Sequence, residues 1–473
     1  MKNKKELIRK TPRYVRYARH RFRRFIMHID LGKLLTFGYN SQVPQRNIAA
    51  GYLSYIIFGF IFLSLPWSQK TDVSIIDNLF IVTSAISTTG LTSIDIGTSY
   101  TLFGQIIILL MIQVGGLGYM TITSFILYQM THHFMRIKNG IMKATFSIPD
   151  EFDFQGILKA VIIFTTVFEV GGTFLLYIYF YQAGIEAPLW NAAFHSISAF
   201  CTAGFSLFKD NLMSFDTNWG VNLVIAVLCI AGALGFIVMV DIRNKFTIKG
   251  YRFTFTTKVI FFMTFLFILV GTAQLYFFEP SFKSYEPSER ALVSFFQTMS
   301  ALSTAGYNTV DIGKMILPSL LTLTMAMFIG ASPSGTGGGV RVTTIFTVFA
   351  YLLSKLGEKR DVEIASQRLP SYRVDTALTN FIFYTMILFG ASYLLSFSEI
   401  FTFPQIVFEV ASSLGTVGLS TGITAQFTIF GKIVLIVLMY IGRLGVVAFG
   451  TAMLSRMSKK IQNSTCNAND IAV

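Results

Sequence analysis

The sequence predicts an all-α integral membrane protein, with eight transmembrane helices arranged as four span–loop–span repeats about a pseudo-fourfold axis. Three observations carry this expectation. Only 13% of the 473 residues are charged, against about 25% in soluble proteins, while 53% are hydrophobic and 48 are phenylalanine. Eight apolar stretches approach the length needed to cross about 30 Å of hydrocarbon. Four shorter segments, each between two of those stretches, end in one recurring Ser/Thr/Gly pattern. Such a chain has too little polar surface to cover a water-facing globule, so a soluble enzyme is excluded.

Residues 1–47 read as a basic cytoplasmic tail, in which Arg13, Arg16, Arg21 and Arg24 alternate with Tyr14, Tyr17, Phe22 and Phe25. That pattern suits an amphipathic helix on anionic lipid headgroups better than a nucleic-acid arm. Spans are expected at 48–66, 101–130, 157–181, 219–240, 258–278, 315–353, 376–397 and 427–454. The shorter segments are 75–89, 188–203, 289–305 and 403–417. Each is too short to cross, so each should enter as a half helix and return as irregular backbone, which membranes tolerate only where it lines a cavity. The repeats are therefore 48–130, 157–240, 258–353 and 376–455, followed by a tail at 456–473. Lys and Arg crowd alternate connections, at Arg136 and Lys138, Arg243 and Lys245, Lys355 and Lys359, and Arg456 and Lys459. The positive-inside rule then puts both termini in the cytoplasm, in a multi-pass plasma-membrane protein.

The four short segments end in Thr88-Thr89-Gly90, Thr202-Ala203-Gly204, Thr304-Ala305-Gly306 and Thr416-Val417-Gly418, each with a serine six residues before the glycine. Glycine lets an extended backbone take positive φ, so that successive carbonyl oxygens can face one axis. Four such stretches make a central pore whose carbonyl rings replace the water shell of a monovalent cation. The negative pole of each half helix favours the same charge. Nine residues before the glycines stand Ile81, His195, Gln297 and Glu409, the last three able to hydrogen-bond the back of the loop. Asp95 and Asp311, five residues beyond two of the glycines, would concentrate cations at the outer mouth.

This fourfold span, pore loop, span repeat resembles the Trk, Ktr and HKT superfamily of potassium transporters, and most of all its Ktr membrane subunit, across residues 48–460. The resemblance implies potassium uptake as the ion-translocating subunit of a Ktr-type system, without enzymatic activity. A glycine in the first loop, Gly90, implies potassium rather than sodium selectivity. Also implied are a homodimer, sodium activation, and a cytosolic RCK-type ring that binds ATP or ADP. Potassium is then substrate, with no covalent cofactor and no other metal. Proton- or sodium-coupled potassium symport of Trk type is the alternative.

A second repeated motif falls in the later span of each unit. Its copies are Gly115 to Gly118, Gly232 to Gly235, Gly442 to Gly445, and the longer run Gly330, Ala331, Ser332, Pro333, Ser334, Gly335, Thr336, Gly337, Gly338, Gly339. The first three are expected to stay helical and pack closely. The long copy cannot, because proline and five glycines destroy helix propensity there. It resembles the intramembrane gating loop of the superfamily. Arg443, in the last copy, matches the arginine that helps shut that gate, with Glu169 a candidate ion-pair partner. A charge at that depth is costly and so points to function. Arg341, just after the loop, reads as the start of the return toward the cytoplasm. Cys201, Cys229 and Cys466 are too scattered for a disulfide framework or a zinc site. His132 and His133 read as solvated loop residues.

Overall fold

The computed structural model describes residues 44–118, 154–359, 361–364 and 367–461. The basic tail up to residue 43, the later half of the second expected span, His132, His133 and Cys466 lie outside the described residues.

The first repeat runs α1 (Pro44–Leu63), α2 (Ile75–Ile86) and α3 (Leu102–Leu117). The second is α4 (Phe154–Gln182), α5 (Pro188–Phe200) and α6 (Trp219–Thr247). The third is α7 (Phe255–Phe278), α8 (Pro287–Leu302), α9 (Leu317–Ile329) and α10 (Val342–Leu356). The fourth is α11 (Ser371–Ser398), α12 (Phe403–Leu414), α13 (Ile429–Leu444) and α14 (Val446–Ile461). A small antiparallel hairpin pairs Glu363 with Arg368 between α10 and α11.

Among the described residues, α1, α4, α6, α7 and α11 are long and apolar enough to cross a membrane, and the bent pair α13 and α14 makes a sixth candidate. The expected span at 427–454 is thus not straight; it turns by 100° at its break. The span expected at 315–353 is two helices, α9 and α10, separated by residues 330–341.

The half helices α2, α5, α8 and α12 have built-in starts. Ser74 caps α2, and prolines occupy the first turn of α5, α8 and α12, where a missing N–H costs nothing. Capping boxes, Glu286 with Glu289 and Thr402 with Gln405, reinforce the last two. Among the described residues the hydrophobic core has two large clusters, one built mainly from the first two repeats and one from the last two, and a small third one around Ala350, Val362 and Val374. Large apolar side chains such as Phe262, Phe265 and Phe277 on α7, and Met386, Phe389 and Phe397 on α11, point outward, as a lipid-facing surface requires.

Candidate functional site

Each half helix ends in the same way. The residue before the glycine donates its N–H to the serine carbonyl five positions back: Thr89 to Ser84 at 2.8 Å, Ala203 to Ser198 at 2.8 Å, Ala305 to Ser300 at 2.9 Å and Val417 to Ser412 at 2.8 Å. The threonine ahead of it donates to the carbonyl three back, at 3.0 to 3.3 Å. This pair of bonds is the Schellman ending of a helix, whose left-handed position is usually glycine. Here it is threonine: Thr88, Thr202, Thr304 and Thr416 have φ of 52°, 50°, 55° and 49°. A β-branched residue in that region is strained, by about 1–2 kcal/mol, and persists only where its surroundings hold it. Gly90, Gly204, Gly306 and Gly418 follow with φ of 88°, 66°, 75° and 98°. Glycine was legible from the sequence as the positive-φ residue; the strained threonine was not.

The four glycines meet each other's loops in a closed circuit. A Cβ added to Gly90 would lie 2.3 Å from the carbonyl oxygen of Ala203, on Gly204 2.4 Å from that of Ala305, on Gly306 2.1 Å from that of Val417, and on Gly418 2.2 Å from that of Thr89. No side chain fits at any of the four. Chemically, the arrangement gathers main-chain oxygens from four segments, the kind of ligand set that substitutes for water around an alkali cation.

Buried polar side chains brace the return strands. The hydroxyl of Ser198 donates to Phe205 O (2.9 Å) and that of Ser300 to Tyr307 O (2.6 Å), while Ser412 Oγ accepts from Gly418 N (3.0 Å). His195 bonds Ser206 Oγ at 2.9 Å and Asn191 O at 2.8 Å. Gln297 donates to Thr309 Oγ1 at 2.9 Å. Glu409 accepts from Ser420 Oγ (2.7 Å), Thr421 N (2.9 Å) and Thr424 Oγ1 (2.7 Å). Asp95 and Asp311 cap short turns, at Thr98 N (3.2 Å) and Gly313 N (3.1 Å).

The loop from Gly330 to Gly339 lies against all four threonines. Thr88 Oγ1 donates to Thr336 O at 3.4 Å, Thr202 Oγ1 bonds Thr336 Oγ1 at 3.1 Å, and Gly338 N donates to Thr304 Oγ1 at 2.9 Å. At Gly338 an added Cβ would come within 2.3 Å of Thr416 Oγ1. Thr336 Oγ1 also donates to Phe200 O at 3.2 Å.

The other three glycine motifs break their helices as well, which corrects the expectation that they stay helical. Gly118 ends α3 at φ 79°, Gly235 kinks α6 at φ 81°, and Gly445 separates α13 from α14 at φ 84°. The α6 break has a clear compensation. Carbonyls of Gly232 and Ala233, which an intact helix would have bonded to residues 236 and 237, accept instead from Thr336 N (3.1 Å) and Ser332 N (3.2 Å). The freed Phe236 N donates to Ser334 O at 3.3 Å, and Ile237 N to Ser334 Oγ at 3.3 Å. Kink and loop thus satisfy backbone groups that each other's irregular path sets free. The first glycines of three copies serve close approach: a Cβ on Gly115, Gly232 or Gly442 would strike the last carbonyl of α2, α5 or α12 at 2.1, 1.9 and 2.1 Å.

Two arginines fasten the loop. Arg443 donates to the carbonyls of Thr336 and Gly115, and to Gly116 O at 3.4 Å. Its partners are therefore backbone oxygens and not Glu169. That carboxylate accepts from Gln113 Nε2 at 3.2 Å and lies 3.9 Å from the Cys201 thiol. Arg341 donates to Ser332 O at 3.0 Å and to Gly337 O. Far from merely starting the return helix, it ties the loop's two limbs together, a role that no local sequence signal reveals.

A family model described as TrkH, cation transport protein, matches residues 19–461. The chain belongs to this TrkH family of cation transport proteins. It is similar to the Ktr system potassium uptake protein B of Vibrio alginolyticus, at 35% identity over 85% of this chain and 89% of that protein. It is also similar to the Ktr system potassium uptake protein B of Bacillus subtilis, at 33% over 86% and 92%. A third relative is the potassium/sodium uptake protein NtpJ of Enterococcus hirae, at 32% over 89% and 95%. The crystal structure of the potassium transporter TrkH from Vibrio parahaemolyticus superimposes with a TM-score of 0.67, covering 85% of this chain and 84% of that one. At 22% identity this likeness concerns the fold alone. As a TrkH-family chain with several apolar helices, the protein is a multi-pass membrane protein.

Proposed function

We propose that this chain is the ion-translocating subunit of a Ktr-type potassium uptake system in the plasma membrane, with both termini in the cytoplasm. Eight membrane segments, four of them broken, surround a pseudo-fourfold pore. In this reading Thr88 to Gly90, Thr202 to Gly204, Thr304 to Gly306 and Thr416 to Gly418 form the selectivity filter. Potassium sheds its water against their main-chain oxygens, stripped by fixed dipoles that need no reorganisation. The loop from Gly330 to Gly339, fastened by Arg443 and Arg341, is the gate. His195, Gln297 and Glu409 support the filter from behind.

The observation that carries the reading is the closed circuit of glycine contacts, with one loop touching the threonine of every member. Packing alone gives no reason for four strained threonines to converge on one irregular segment. The named activity of the Ktr relatives supplies the ion. Their description as parts of a Ktr system supports a partner subunit, which we take to be a cytosolic RCK-type ring binding ATP or ADP beneath a homodimer of this chain. Sodium as an activator belongs to the same reading. NtpJ is named for potassium and sodium, which favours sodium-coupled uptake as the second reading.

The test is potassium uptake by uptake-deficient cells that express the chain or Gly306→Ser. The variant places a Cβ 2.1 Å from Val417 O at a φ of 75°, so the ring must distort. It is expected to reach the membrane and to lose potassium preference over sodium. Unchanged preference refutes the filter, and flux that persists without sodium refutes the second reading.

A further inference from the structure

The first filter loop is braced differently from the other three. At its support position stands Ile81, buried and apolar, where the others have His195, Gln297 and Glu409. The hydroxyl of Ser84 is buried with no hydrogen-bond partner among the described residues, whereas Ser198, Ser300 and Ser412 are all bonded. Ser93, three residues past Gly90, is likewise buried, and its hydroxyl faces the carboxylate of Asp77. Asp77 sits in the first turn of α2, one helical turn before Ile81.

Asp77 is bound across a boundary between repeats. Its carboxylate receives Lys432 Nζ, from the first turns of α13, at 2.8 Å, and the two side chains are only 14% and 12% exposed. It also accepts from the hydroxyl of Ser74 at 2.6 Å. The helices α2 and α13 pack along each other, so this pair joins the first repeat to the last. That seam is the one the chain does not close covalently. Other ties across it include Tyr440 OH to Ala49 O (2.7 Å), Arg46 Nε to Ala452 O (2.7 Å), and Arg443 to Gly115 O and Gly116 O. Of these, only the Asp77–Lys432 pair grips the half helix that carries a filter loop.

We propose that Asp77 and Lys432 are positioning residues for the first filter loop, taking over from outside the support that Ile81 cannot give, and so contribute to ion preference. The inference rests on the filter reading above. A buried pair costs desolvation energy that its attraction only partly returns, so its contribution lies in geometry more than in stability. Lys432 would hold α2 in the position from which Thr88 to Gly90 close the circuit with Gly204 and Gly418.

The experiment measures potassium uptake with sodium as competitor in uptake-deficient cells expressing the full chain, together with the amount of chain in the membrane. Asp77→Asn and Lys432→Met are each expected to lose potassium preference by about fivefold, within the range of a coupled pair. Lys432→Arg, which keeps the charge, should stay near the parent. In the double variant Asp77→Asn/Lys432→Met no buried charge is left alone, so membrane abundance recovers while the preference stays reduced. If the double variant has parental preference, the pair is merely a strut and the proposal fails, even when the single variants do not accumulate. Gly306→Ser is run beside them. If it alters preference and the pair variants do not, only this inference falls; if none does, the filter reading falls with it.

Discussion

Replacing Arg443 with glutamine shortens the side chain and removes its charge at a point where the last repeat holds the loop. The guanidinium donates to Thr336 O in the loop and to Gly115 O and Gly116 O at the end of α3, so it bridges the loop to a neighbouring wall. Thr336 is also the residue that Thr88 and Thr202 contact. A charge-assisted hydrogen bond in such a site is worth about 2 kcal/mol. The shorter amide can make at most one neutral bond in their place, so holding the loop weakens by at least about 1–2 kcal/mol. At about 1.4 kcal/mol per decade, the ratio of seated to displaced loop falls by about 5- to 30-fold. The assay is initial-rate potassium uptake in deficient cells, normalised to membrane content. The expected result is a higher maximal rate with unchanged preference for potassium over sodium, because Gly90, Gly204, Gly306 and Gly418 keep their contacts. A parental rate at parental abundance refutes the role of Arg443 as a latch. So does a change in preference without a change in rate, which would assign the arginine to the filter instead.

Gly235→Ala forces a side chain into the α6 kink, 2.6 Å from Gly335 N and at a φ of 81°. The kink should relax toward helix, withdrawing four backbone partners from the loop; the thermal midpoint in detergent falls, from a cost of about 1–3 kcal/mol, and uptake becomes leaky. A parental midpoint with parental flux would mean that kink and loop are independent. Glu409→Gln turns one acceptor oxygen into a donor facing Thr424 or Ser420, which already donate to it. Stability should drop by about 1–3 kcal/mol, read by the same melt, with sodium competition strengthened; an unchanged melt removes Glu409 from the bracing set.

Much of the membrane organisation was open to reading along the chain. Composition and apolar length mark candidate spans because lipid solvates any apolar helix face alike, and five or six of the eight expected recur as long apolar helices among the described residues. The Ser/Thr/Gly spacing locates the half-helix ends because a helix ending is a matter of a few adjacent residues. The broken span at 330–339 was legible for the same reason: proline and glycine act on their own backbone. The straight helices expected at Gly115 to Gly118, Gly232 to Gly235 and Gly442 to Gly445 were not found. Isolated glycine is compatible with both helix and break, and what selects the break is a neighbouring backbone that takes over the freed hydrogen bonds, as Ser332, Ser334 and Thr336 do for α6. Arg341 and Lys432 gave no local sign of their partners, which lie across the loop and across the seam between the first and last repeats.

The amino-acid order thus decided by itself which segments are apolar enough to enter a bilayer, where four half helices stop, and which apolar stretch must break, since those depend on side-chain hydrophobicity and on torsional freedom within a turn or two. Only the tertiary structure decided that the four glycines abut one another in a circuit, that threonine bears the left-handed strain beside each, and that two arginines fasten the loop through carbonyl oxygens and not through an acid. Those outcomes depend on distances between segments a hundred or more residues apart, and such distances exist only after the repeats have closed on each other.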